Sequence, residues 1–143
     1  MLAFLTVTIS ASASFLLPSE TDARNPTDFA FLYLGYSDMA GHQHGWMTEE
    51  YHEALRNSWE NIDKVVKALP DDYVFIITAD HGGHDRTHGT EMPEDMTIPI
   101  IITGKGIEKG KEIKNANIKD IAPTVAKLLG IAPNEEWEGK SLL

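Results

Sequence analysis

The chain has 143 residues, a length that suits one domain, and its 42% apolar content is ordinary for a globular protein. Its 22 acidic and 12 basic side chains give a formal charge of −10, which argues against a protein that grips a nucleic-acid backbone through cationic side chains. There is no Cys, so disulfide staples and thiolate metal ligands are excluded; a reducing, cytoplasmic compartment fits, and so does secretion without bridges.

The lead segment, Met1 to Leu17, is apolar but rich in Ser and Thr, and is too short and too polar for a spanning helix. A signal peptide cut near Ala11-Ser12-Ala13 is one reading, but no Lys or Arg precedes Arg24, so the positive leader is missing. The favoured reading is a strand over Phe4–Ile9, on the propensity of Thr6, Val7, Thr8 and Ile9. Pro18 to Thr27 is polar and reads as a loop. Asp28 to Gly35 is a continuous apolar run, as expected of a strand buried on both faces of a parallel sheet. Ser37 to Met47 reads as a loop rich in Gly and His.

Thr48 is a natural N-cap, with Glu49 and Glu50 placed to complement the helix dipole. Tyr51, Leu55, Trp59, Ile62, Val66 and Leu69 follow at helical spacing as one core-facing stripe. Pro70 ends that helix, which is long enough to cross between parallel strands. Tyr73 to Ala79 is a second buried strand, followed by a polar loop from Gly82 to Met96. Ile98 to Thr103 is a further strand, where Pro99 favours an edge or a strand start. A final helix is expected over Lys119 to Leu129, with Pro123 in its first turn and Gly130 at its C′ position. Strands alternating with helices predict an α/β fold with a mostly parallel sheet flanked by helices.

Five of the six histidines fall in two acid-containing clusters, Asp38 to His44 and Asp80 to His88. Each comes after a strand-like run, so both lie where ligands bind in open α/β sheets, outside the carboxyl ends of strands. Imidazole nitrogens and carboxylate oxygens are the donors of a catalytic transition-metal site. Asp38 and His42, four residues apart, can reach one ion, and Gly41 between them allows close backbone approach. Asp80 and His81 are adjacent and can serve two neighbouring ions or turn to one.

Three pieces carry a resemblance: Tyr36-Ser37-Asp38-Met39-Ala40-Gly41-His42; Ile77-Thr78-Ala79-Asp80-His81-Gly82-Gly83; and Thr87-His88-Gly89 ahead of Ile98-Pro99-Ile100-Ile101-Ile102. Gly139-Lys140-Ser141-Leu142 adds a matching closing segment. Together they resemble the alkaline phosphatase superfamily, most of all its nucleotide pyrophosphatase/phosphodiesterase branch, with sulfatases and phosphomutases as more distant readings. The resemblance implies an alkaline-phosphatase-like fold and two divalent metal ions; the imidazole-rich donor set suits zinc, with manganese as the alternative. It implies that Asp38, His42 and His88 hold one ion and that Asp80 and His81 hold the other. It also implies an N-terminal Asp and a Thr or Ser nucleophile. The residues before the first matching strand include Thr6, Thr8, Thr21 and Asp22, but no Asp-Gly strand end and no recognisable nucleophile motif. The expectation is therefore a domain truncated at its N-terminus, with a lead over residues 1–27 and the superfamily-like part over residues 28–143.

Other polar residues have plainer readings. His44, His84, Asp85 and Arg86 read as solvated loop residues. Glu91, Glu94 and Asp95 read as a solvated acidic run, and His52 as a surface histidine. Two functions remain open. One is metal-dependent hydrolysis of phosphate esters, with a small ester as substrate. The other is a non-catalytic metal-binding fragment, or a half-enzyme completed by a homodimer partner or an N-terminal chain that covers the exposed sheet edge. Neither calls for a nucleic-acid polymer or a membrane.

Overall fold

A computed structural model describes the backbone of Phe4–Ile9 and residues 28–143 in full. The cleavage-site reading at Ala11-Ser12-Ala13 and the loop over Pro18 to Thr27 fall outside the described residues. The strands are β1 (Phe4–Ile9), β2 (Phe29–Leu34), β3 (Val74–Ala79) and β4 (Ile100–Gly104). They form a four-stranded sheet in the order β2-β1-β3-β4, with β1 parallel to both neighbours and β4 antiparallel on the edge. The α/β class and the mostly parallel sheet are as expected, and Pro99 immediately precedes the edge strand.

The continuous apolar run of β3 has a direct cause. Val74 to Ile77 are all buried, with Val74 and Ile76 at 0% exposure, because layers cover both faces of this strand. On one face, α2 (Glu49–Ala68) packs Ile62 and Val65 against Leu34, Tyr73, Phe75 and Ile77. Thr48 caps this helix as expected, its hydroxyl accepting from the Tyr51 N–H at 3.3 Å. The buried stripe, however, is Ala54, Ser58, Ile62 and Val65, and Trp59 is 42% exposed. The larger apolar residues pointed to a stripe one position away from the real one. Small side chains face inward here because α1 (Tyr36–His44) packs against the same helix.

The other face of the sheet carries α4 (Ile121–Leu129), entered through a 3₁₀ turn at Ile118–Asp120. Pro123 sits in its first turn, and Gly130 closes it at φ 69°, the left-handed C-terminal geometry that the sequence implied. Between α4 and the outward face of β2 runs a groove of about 730 Å³, lined by Phe29, Phe31, Tyr33, Val125 and Trp137 among others. The closing segment is clasped to the start of α4. The Lys140 and Leu142 N–H groups donate to the Asp120 carboxylate at 2.9 Å and the Thr124 hydroxyl at 3.0 Å. Gly139 is needed there, since a Cβ would fall 2.0 Å from the Lys119 carbonyl oxygen.

Ser37 to Met47 corrects the sequence reading. Most of that stretch is helical, in α1, and not a loop. Gly and two His lower helix propensity, but tertiary contacts decide here. Gly41 is buried, and a Cβ on it would lie 2.7 Å from the Trp46 indole. The glycine therefore serves to admit Trp46 against the helix.

Candidate metal centre

The register of the sheet brings the two acid/His segments together. Ile9, at the end of β1, pairs with Leu34 on one side and Ala79 on the other. Strands β2 and β3 therefore end level with each other on either side of β1, and the residues just beyond them meet above that central strand. This is a topological switch point, because the chain steps one way from β1 to β2 and the opposite way from β2 to β3.

From β2 the chain enters α1, with Asp38 in its first turn, where the helix dipole favours a carboxylate. Helical spacing puts His42 one turn above Asp38, and its Nε2 lies 3.5 Å from Asp38 Oδ1. From β3 the chain delivers Asp80 and His81. His81 Nε2 stands 3.7 Å from Asp38 Oδ1 and 3.9 Å from Asp80 Oδ1. His88, from the same segment, brings its Nε2 to 3.4 Å from Asp38 Oδ1. The His81 and His88 rings stack with centroids 3.7 Å apart.

Two backbone carbonyls orient two of these rings. His42 Nδ1 lies 3.0 Å from the Arg86 carbonyl oxygen, and His81 Nδ1 lies 2.7 Å from that of Gly82. A carbonyl can only accept, so each Nδ1 carries a hydrogen, and in the neutral ring each Nε2 then keeps its lone pair. Those lone pairs face Asp38 Oδ1, a buried oxygen with no hydrogen-bond partner among the described residues. Electron-rich atoms converging on an orphaned carboxylate oxygen repel one another unless a cation lies between them. Asp38, His42 and His88 offer donor atoms all within 4.8 Å of one another, so the donor set fits a divalent metal.

Asp38, His42, His81 and His88 thus gather at one point. Asp80 stands at the edge of the group, with its side chain 38% exposed. His81 lies between the two carboxylates and can turn to either. Beside Asp80 and His81 opens a cleft of about 400 Å³, with Thr90, Ile98 and Asn117 in its walls. Tyr51, above Trp46, has its phenol pKa pushed up, first by burial and then by the Asp38 charge.

Two polar residues depart from the sequence expectation. Asp95 is 3% exposed, not solvated. His84, expected as a solvated loop histidine, is partly buried and pairs through Nδ1 with Asp95 Oδ1 at 2.8 Å. The hydrogen bond from His84, helped by those from Thr90, pulls the Asp95 pKa down to about 2, while the same bond raises that of His84. The sequence signal is present but weak: a His eleven positions before an acid in a Pro-initiated helical turn. Trp46 also matters more than its sequence context suggests. Its indole is wedged between Gly41 and Gly83, where a Cβ would lie 2.7 and 2.2 Å from the ring, and it meets His42 edge-on at 5.1 Å.

Comparison with known proteins identifies the family. The model of the Metalloenzyme superfamily matches residues 16–133. A phosphopentomutase of Acetivibrio thermocellus is 31% identical over 115 residues, covering 80% of this chain and 27% of that protein. A phosphopentomutase of Clostridium kluyveri is 32% identical over 116 residues, with the same coverage. A 2,3-bisphosphoglycerate-independent phosphoglycerate mutase of Clostridioides difficile is 30% identical over 145 residues, covering 92% of this chain and 27% of that protein. The chain therefore spans about a quarter of the length of these relatives. They are mutases, so they support the superfamily and not the nucleotide pyrophosphatase/phosphodiesterase branch in particular. Fold, site geometry and family match lead to one statement: this chain belongs to the Metalloenzyme superfamily, the alkaline-phosphatase-like group that its motifs resemble.

Proposed function

We propose that the chain takes part in metal-dependent phosphoryl chemistry on a small phosphate ester. Asp38, His42 and His88 hold one divalent ion, and Asp80 and His81 contribute to a second. The observation that carries this reading is the orphaned Asp38 Oδ1 faced by three imidazole nitrogens. The imidazole-rich donor set suits zinc, with manganese as the alternative. A bound pair of such ions supplies Lewis acidity and a clamp on the attacking and leaving oxygens of the phosphoryl group. The protein's own part is to aim the donors. The Arg86 and Gly82 carbonyls lock two imidazoles in the ligating tautomer, and the cleft beside Asp80 and His81 receives the remainder of the ester.

Within this chemistry, the motifs around Asp38 and Asp80 favour ester hydrolysis of the phosphodiesterase or phosphatase type, and the relatives' names favour phosphoryl transfer of the mutase type. A second reading also has an observation behind it. Phe29 and Phe31, on the edge strand β2, are 43% and 59% exposed, as expected of a metal-binding half whose sheet edge a partner chain covers. Elemental analysis of the purified protein, paired with assays on chromogenic phosphate mono- and diesters, tests both. Bound metal with turnover abolished by Asp38→Ala is the expected result. Bound metal without turnover selects the half-enzyme, and absence of metal binding removes the proposal.

A further inference from the structure

Asp95 is the best-satisfied buried carboxylate near the centre, yet it takes no part in the cluster around Asp38. Its Oδ1 accepts from His84 Nδ1 at 2.8 Å, and its Oδ2 accepts from both the N–H and the hydroxyl of Thr90 at 2.8 Å. Its backbone carbonyl accepts the Gly82 N–H at 2.7 Å, beside the Gly83 N–H bond to the Glu94 carbonyl at 2.9 Å. Gly82 adjoins His81, and Thr90 lies two positions past His88. Between them, the paired backbone bonds of His84 and Thr87 close a tight hairpin. One acidic residue therefore fixes both ends and the middle of the segment that carries two of the candidate ligands.

We propose that Asp95 is a positioning residue for the metal centre. It presets the separation and stacking of His81 and His88, and thereby the affinity of the site for a divalent cation. This rests on the reading of Asp38, His42 and His88 as ligands. The backbone on either side of Asp95 also packs closely on Gly82, where a Cβ would fall 2.0 Å from the Glu94 carbonyl oxygen. Segment and helical turn α3 (Pro93–Met96) are in backbone contact, so a displaced Asp95 moves the histidines with it. Groups that orient ligands in this way typically change metal affinity about 10–100-fold when removed.

Co²⁺ serves as the probe metal, read by calorimetric titration and by its visible absorption, in the whole chain and in Asp95→Ala, Asp95→Asn and Thr90→Val. The expected result is Co²⁺ binding weakened roughly 10–100-fold in Asp95→Ala, with an altered visible band. Asp95→Asn should fall in between, because its amide keeps an acceptor for Thr90 and can donate to His84 once that ring moves its proton to Nε2. A purely structural role predicts lower unfolding temperatures with unchanged Co²⁺ affinity and spectrum in the folded protein, and that result overturns the proposal. If Asp95→Ala does not fold, Asp95→Asn and Thr90→Val decide on the same two readouts. The two failures are distinguishable. An unmodified chain that binds no Co²⁺ overturns the ligand reading and this inference with it, whereas equal binding by chain and variants overturns this inference alone.

Discussion

Replacing Asp38 by Asn should stabilise the metal-free protein while removing its response to metal. The Asp38 side chain is 9% exposed, and its Oδ1 has no hydrogen-bond partner among the described residues. Without a cation, this buried acceptor faces three imidazole nitrogens at 3.4, 3.5 and 3.7 Å. Leaving such a group unsatisfied costs about 1–3 kcal/mol, and more when it is charged. Asn removes the charge and offers N–H donors to the same nitrogens, so most of that cost should be recovered. For a domain of this size, about 1–3 kcal/mol corresponds to a rise in Tm of roughly 2–12 °C. With metal present the order reverses. The unmodified chain gains about 2.7 kcal/mol at a free metal concentration 100 times Kd, and the variant, lacking its anionic ligand, gains far less. The assay is thermal unfolding of both proteins, first with chelator and then across a Zn²⁺ titration, and the two Tm curves should cross. A metal-free variant less stable than its parent, or two proteins equally stabilised by Zn²⁺, would refute the account of Asp38.

Packing and charge give two further expected outcomes. Gly83→Ala drives a methyl to within 2.2 Å of the Trp46 ring, so either the indole or the segment after β3 must move. A loss of about 1–3 kcal/mol by chemical denaturation, accompanied by weaker metal binding, is expected; unchanged values for both would show that Trp46 is loosely held. The His84–Asp95 pair gives a pH window with a definite sign. The Asp95 carboxyl is held down, so its contribution is present above the ordinary carboxylate pKa of about 4 and is lost as pH falls toward about 2. His84 is raised, so its contribution is full below about 6.5 and is lost as pH climbs through its higher folded value. Stability measured against pH should lose both slopes in a His84→Gln, Asp95→Asn double variant. Slopes identical to the parent would mean that the pair does not form in solution.

The long-period features are legible in the sequence. Tyr73 to Ala79 shows itself as a buried strand through its unbroken apolar run, whereas Asp28 to Gly35 is a strand at the sheet edge, with Phe29 43% and Phe31 59% exposed, and not buried on both faces as its run implied. Thr48, Pro123 and Gly130 mark helix ends through local chemistry that needs no tertiary partner. The grouping of Asp38, His42, His81 and His88 is legible too, since parallel strands deliver their C-terminal neighbours to one rim. Features decided by contact are not legible. The helix over Tyr36–His44 forms around a glycine whose use is to admit an indole, and no propensity carries that information. The inward face of α2 is set by small residues, Ala54 and Ser58, which a search for large apolar side chains passes over. Asp95 looks like one more acid in a solvated run because its partners, His84, Thr90 and Gly82, lie 5 to 13 positions upstream.

The place of Trp46 gives the centre its own optical reporter. The indole is wedged between the two glycines that flank the site, with ring centroids 5.1 Å from His42 and 5.8 Å from His88. Its emission is therefore exposed to any quenching cation those imidazoles capture, and to any separation of the helix after β2 from the segment after β3. Ion capture and the spreading of the two halves of the centre can be followed by light from a residue already in the chain, with no dye attached.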